Sequence, residues 1–205
     1  MPDTLIANEK IANEKSPLEI RWTRQDCERL EESGFLTYRY ELVEGAINKL
    51  GQNSGHANMV RLLVRWLVET FGWTHFFSQS SIDVRPEDNP TNRPEPDGIL
   101  LARPADAFTS NPTPEDIRLL IEASDSTLRY DLTTKARLYA LAGIVEYWVV
   151  SLTDRTLAVH RDPWEGLYRD VRTYRENERV AALAGPDKPV IVSQLLPQSD
   201  TQTSP

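Results

Sequence analysis

The sequence predicts an α/β (α+β) domain built around a mixed sheet, and three observations predict it. Segments of helical and strand-like pattern alternate in the order helix, strands, helix, strands, helix, strands. The apolar run Ile117-Arg118-Leu119-Leu120-Ile121 has the content of a buried strand and closes on Glu122-Ala123-Ser124. A second run, Gly98-Ile99-Leu100-Leu101, opens instead on an acid, Asp97, behind Pro96.

The elements follow in chain order. Thr23 with Asp26 in the next turn reads as a capped start of a short helix that stops at Gly34. Tyr38 to Leu50 reads as two short strands around a turn at Glu44-Gly45. From His56 to Phe71, Met59, Leu62, Leu63, Trp66 and Leu67 recur at a helical period. Phe76 to Val84 reads as a strand, and Pro86 to Pro94 as a loop by composition. The two acid-bearing strands come next, separated by a loop with Pro104, Pro112 and Pro114. Leu132 to Ala142 is predicted as a helix ended by Gly143. Val145–Leu152, Thr156–His160 and Gly166–Tyr174 complete the strands, with a turn at Thr153-Asp154-Arg155.

The 205 residues suffice for one domain with its own core, with 26% charged and 40% hydrophobic side chains. We place that domain at 21–197. A mobile tail is expected at 1–20, which holds the duplicated pentapeptide Ile-Ala-Asn-Glu-Lys, and a disordered polar tail at 198–205. No apolar run approaches the roughly 20 residues that span a bilayer, so no membrane association is expected. The single cysteine, Cys27, and the lack of a basic, apolar leader point to the cytoplasm. A net charge of −8 gives a polyanion no global attraction, so contact with nucleic acid would need a local basic patch or a metal.

If the two acid-bearing strands are antiparallel neighbours, Asp97 and Glu122 converge at one edge of the sheet. Paired carboxylates there make a hard oxygen site suited to Mg²⁺ or Mn²⁺ rather than zinc. An ordinary account is also open: Asp97 caps a turn, and Glu122 pairs with an arginine. On the following helix Lys135 lies on the flank of the stripe Leu132, Ala136, Tyr139, Gly143. From there its long stem can carry the ammonium to the sheet edge. The bland alternative is a surface pair with Asp131, and a flank lysine would cost little stability to remove. Glu41 and Glu44 each offer a third carboxylate, although a turn-flanking glutamate is more often simply solvated. His56, at a helix start, reads first as a cap. Arg85, Arg93 and Arg129 flank the proposed site and could meet phosphates.

Several stretches resemble a known family. They are Arg-Tyr-Glu-Leu-Val-Glu-Gly at 39–45, His56, Pro-Asp at 96–97, Ile-Glu-Ala-Ser at 121–124, Tyr-Asp-Leu-Thr-Thr-Lys at 130–135 and the block 139–150. Together they are similar to the Uma-type restriction endonucleases of the PD-(D/E)XK nuclease superfamily. The resemblance runs from about Trp22 to Pro197. It implies a restriction-endonuclease-like core, with a mixed sheet flanked by helices and a metal site at one edge. Asp97 matches the metal aspartate, Glu122 the second acid, and Glu41 an acid that completes the site. The superfamily lysine usually lies two residues after the second acid, where this chain has Ser124; Lys135 on the next helix matches it instead. Glu44, His56, Ser124, Asp131 and Tyr139 stand as accessory positions. The implied activity is Mg²⁺- or Mn²⁺-dependent hydrolysis of DNA phosphodiester bonds, with a homodimer by analogy to nucleases that cut both strands. The rival reading is a nuclease-like fold used for binding or assembly without catalysis.

Overall fold

The chain enters through helix α1 (Arg24–Glu32), whose start is fixed by a reciprocal cap. The Thr23 hydroxyl accepts the Asp26 N–H at 3.1 Å, and the Asp26 carboxylate accepts the Thr23 N–H at 3.1 Å. Strands β1 (Tyr40–Val43) and β2 (Ala46–Lys49) form a hairpin. Its loop residues Glu44 and Gly45 both have positive φ, 52° and 77°, the twist that favours two-residue hairpin loops. A side chain at Gly45 would also meet the Cβ of Arg21 at 2.6 Å. Cys27 and Leu36 pack with Tyr40 and Leu42, so α1 backs the hairpin.

Helix α2 (Ser54–Phe71) begins at Asn53, whose side chain accepts the His56 N–H at 2.8 Å. The six-stranded sheet then follows in order: β3 (Phe76–Phe77), β4 (Gly98–Leu101), β5 (Ile117–Ser124), β6 (Glu146–Ser151), β7 (Thr156–Trp164) and β8 (Leu167–Arg175). Only β5 and β6 are parallel; every other neighbouring pair is antiparallel. The parallel step needs a long crossover. Helix α3 supplies it as a continuous run of Leu128–Tyr130, a π turn Asp131–Lys135 and Ala136–Leu141. A last small pair, β9 (Arg179–Val180) and β10 (Val190–Ile191), closes the fold.

Alternation along the strands divides the core in two. Leu119, Ile121, Trp148 and Val150 meet Met59, Leu63, Trp66 and Leu67 of α2 on one face. Leu120, Tyr147 and Val149 meet Leu138, Tyr139 and Ala140 of α3 on the other. Among the described residues, no helix of this computed structural model is long and apolar enough to cross a membrane. The structure describes residues 20–51 and 53–198. Apart from positions 20 and 198, the tails expected at 1–20 and 198–205 lie outside them.

Three boundaries depart from the sequence reading. The strand expected over Phe76–Val84 ends at Phe77. Beyond it, Ile82 donates to the Pro94 carbonyl and Asp83 to that of Pro112, so Ile82 and Val84 are buried without joining a ladder. The helix expected from Leu132 begins at Leu128. Its π turn adds a residue to the winding, which turns Asp131 and Lys135 inward and leaves Leu132 only partly buried. Lys135 is therefore buried, not on a flank. The strand expected to stop at His160 runs on to Trp164.

Candidate functional site

Gly98 faces Ile121 in the antiparallel β4–β5 register, which sets Asp97 opposite Glu122. The Ala123 N–H donates to Asp97 Oδ2 at 2.9 Å and fixes the carboxylate in place. His56, from the first turn of α2, brings its Nε2 to 3.3 Å from the same oxygen. That contact raises the His56 pKa against the opposing effect of burial.

Glu122 lies on the α3 face of β5, where the inward turn of α3 meets it. The Lys135 ammonium is 3.0 Å from Glu122 Oε1 and 2.9 Å from Glu41 Oε2, with Asp131 at 4.0 Å. Tyr139, one turn later, donates to Glu122 Oε1 at 3.1 Å. Burial drives the Glu122 pKa well above the usual carboxylate range, even with Lys135 beside it. Burial also opposes the charge on Lys135, but Glu122 and Glu41 outweigh it and hold the ammonium protonated. Both directions have one cause: several carboxylates share a single lysine in a low-dielectric pocket. Asp131 is held by the Thr127 hydroxyl at 2.6 Å, and burial raises its pKa too.

Glu41 arrives from the β1–β2 hairpin, which is tied across the site by Asn48 donating to the Tyr130 hydroxyl at 2.8 Å. The Glu95 N–H also reaches Glu41 Oε2, at 3.4 Å. These side chains line a cleft of about 570 Å³. Its acids are Glu41, Glu95, Asp97, Glu122, Asp125 and Asp131; its cations are Arg39, Lys49 and Lys135, with His56 beside them. Arg39 is already paired with Glu95 at 2.6 Å. The lining is thus short of positive charge.

Of the residues the sequence singled out, Asp97, Glu122, Lys135, Glu41, His56 and Asp131 meet at this cleft, with Tyr139 packed behind Glu122. Ser124 is buried at the end of β5 and is not part of the cleft lining; its hydroxyl lies 3.5 Å from that of Thr127, which is. Glu44 turns away and pairs with Arg137, so it is not a third carboxylate here. Arg85 pairs with Glu87 and Asp88, and Arg93 with Glu31, because acids in their own neighbourhoods satisfy them first. Arg129 lies beside the cleft, in a shallow pocket with Ser126, Thr127, Tyr130, Thr133 and Thr134. Asn48, Tyr130 and Glu95 were not singled out; each acts through a partner distant in sequence, and no local pattern marks that.

Among the described residues, no three His, Cys, Asp or Glu side chains form a group able to hold a metal ion by themselves. Yet Asp97, Glu122 and Glu41 each have one oxygen engaged and a second that takes no hydrogen bond from a described residue. Mg²⁺ usually takes one or two carboxylates and keeps several waters, so this donor set suits it in kind and number.

Residues 25–187 match the Uma2 family, whose description is "Putative restriction endonuclease". Among solved structures, the fold is similar to the crystal structure titled "a putative nuclease belonging to DUF820 from Anabaena variabilis ATCC 29413". The TM-score is 0.57 at 14% identity, over 81% of this chain and 96% of that one. A likeness at that identity is one of fold. No curated protein matches the sequence.

Proposed function

The chain belongs to the Uma2 family of restriction-endonuclease type, and from that premise we propose that it hydrolyses DNA phosphodiester bonds with Mg²⁺ or Mn²⁺. One observation carries the reading: Glu41, Asp97, Glu122 and Lys135, from four separate segments, meet in one cleft. Isolated buried carboxylates are costly. Setting Glu41 and Glu122 around one ammonium with Asp97 in the same cleft, each with an oxygen to spare, makes chemical sense if a cation completes the set. Asp97 and Glu122 would hold it, with Glu41 as the third donor. When bound, the ion supplies Lewis-acid polarisation of the phosphodiester and a more acidic water.

The remaining work belongs to the protein's own side chains. His56 and the Ala123 N–H hold Asp97 by one oxygen and so orient the other. Lys135 has two of its donors directed at Glu122 and Glu41 and meets the growing negative charge of the phosphate with the third. Tyr139 fixes the Glu122 carboxylate from behind. Arg129, beside the cleft, would take a neighbouring phosphate without reading sequence. In the net reaction a water oxygen bonds to phosphorus, the ester P–O bond breaks, and the departing sugar oxygen receives a proton.

The test is cleavage of plasmid and single-stranded DNA in Mg²⁺ and Mn²⁺, with Asp97→Ala alongside. Cleavage by the wild type that EDTA and Asp97→Ala both abolish supports the reading. The acid excess of the cleft favours a second reading, a nuclease-like fold that binds or assembles without cutting. Failure to cut any DNA in any divalent metal would make that reading the better one.

A further inference from the structure

We propose that the outer edge of β8 is a homodimer interface, in which two copies of the strand pair antiparallel about a two-fold axis through Val171. The proposal is independent of the nuclease reading. It starts from position: β8 is the last strand of the six-stranded sheet and, among the described residues, has only β7 beside it. Outside that ladder, the backbone of residues 167–174 makes no hydrogen bond to another described residue. Alternate residues along that edge therefore present N–H and C=O groups with no partner among the described residues, a template for another strand.

Charges on an edge strand often serve to block such pairing. Here their order does the reverse. A two-fold pairing must be self-complementary, since each residue meets its mirror position. Asp170-Val171-Arg172 is its own complement: with the axis at Val171, Asp170 faces Arg172 of the other copy, twice. Tyr168 then faces Tyr174, and Arg169 faces Thr173, so no like charges meet. Neighbouring registers fail. An axis at Asp170 opposes two aspartates, and an axis at Arg172 opposes two arginines. An axis between two residues would oppose side chains that point to opposite faces of the sheet, which an antiparallel ladder does not allow.

Side-chain exposure fits the same register. Val171 is 51% exposed, unusual for a valine at the centre of a strand, and its own copy would cover it. Leu167 and Trp164, at the adjoining turn, are 70% and 57% exposed and add apolar surface at the ends of the paired strands. Arg172 and Asp170 already lean together on one face at 2.9 Å, so each is placed to gain a second partner across the axis.

The experiment is sedimentation velocity of the full chain from micromolar to sub-millimolar concentration, at low and high salt. The expected result is a reversible dimer, weaker in salt. Asp170→Arg and Arg172→Asp should each weaken association about tenfold or more, because two attractive pairs become repulsive. The double reversal should restore it. Val171→Lys, which sets two ammonium groups on the axis, should also weaken it. Thermal melts of each variant show whether the monomer fold is kept; should a single reversal misfold, the double reversal and Val171→Lys decide. A wild type that stays monomeric throughout overturns the proposal. So does a dimer indifferent to these substitutions, or a double reversal that associates no better than the single variants.

Discussion

Lys135 holds its ammonium within 3.0 Å of two buried acids, and truncating it would leave Glu41 and Glu122 facing each other without counter-charge. Breaking a buried pair in this way costs about 3–5 kcal/mol. In a domain of this size that lowers the thermal midpoint by on the order of 10 °C. We therefore expect Lys135→Met to melt well below wild type in EDTA, and to recover part of the loss in Mn²⁺, which can replace the missing charge. An unchanged midpoint would mean that the two acids do not depend on the lysine. A flank lysine would have been cheap to remove, and it is burial that makes the loss large. A second residue reports through pH. His160 is buried between Tyr147 and Tyr168, and burial holds its pKa below the ordinary imidazole value. As pH falls through about 6.5, the unfolded chain takes up a proton before the native state does, so stability present above that pH is lost below it. The raised pKa of His56 acts in the opposite direction, with stability present below about 6.5 and lost as pH rises through its folded value. Comparing His160→Phe with wild type cancels the His56 contribution. The variant should lose less stability between pH 7 and 5 by denaturant titration, and an identical slope would remove His160 as a cause.

The β1–β2 hairpin and the start of α3 matter as elements because the site needs both, and the Asn48–Tyr130 bond joins them alongside the Glu41–Lys135 pair. A double-mutant cycle on Asn48→Ala and Tyr130→Phe should return a coupling of about 1 kcal/mol, the net worth of one such hydrogen bond. A coupling near zero would mean that the hairpin's other contacts hold it without this bond: Lys135 on Glu41, the Leu42–Arg93 bridge, and Tyr40 and Leu42 packed on α1. This scale also shows what local pattern could reveal. Thr23 with Asp26, the Glu44-Gly45 turn and the apolar period of α2 are short-range signals, and each element formed where its signal lay. The facing of Asp97 and Glu122 was readable because one apolar run opens on an acid and the other closes on one. The π turn was not, since a helical stripe drawn at the regular period cannot show an added residue. That one residue decides whether Lys135 lies on a flank or in the pocket. Nor was the stretch after Phe77 readable: Ile82 and Val84 alternate like a strand, but their backbone partners are loops that no local rule selects.

Across the whole molecule, charge is the property that decides how a polyanion could approach. The chain carries −8 overall, and its cleft repeats that sign, with six acids against three cations. Two of the three arginines expected to offset it, Arg85 and Arg93, are committed to acids elsewhere, which leaves Arg129 on the first turn of α3. The long-range field therefore opposes a nucleic acid. If DNA binds in the cleft, attraction must be local and must depend on a divalent ion. Ca²⁺ separates binding from cutting when it fills the site without supporting the chemistry. Fluorescence anisotropy with a short labelled duplex should then show binding in Ca²⁺ that weakens by tenfold or more in EDTA. Asp97→Asn should bind weakly in both. Arg129→Ala should weaken binding in Ca²⁺ and lower the slope of log affinity against log salt by about one, as expected for one phosphate contact. Binding that is equally tight in EDTA, and unchanged by Asp97→Asn, would move the DNA off the cleft. The acid cluster would then need another explanation than a metal shared with phosphate.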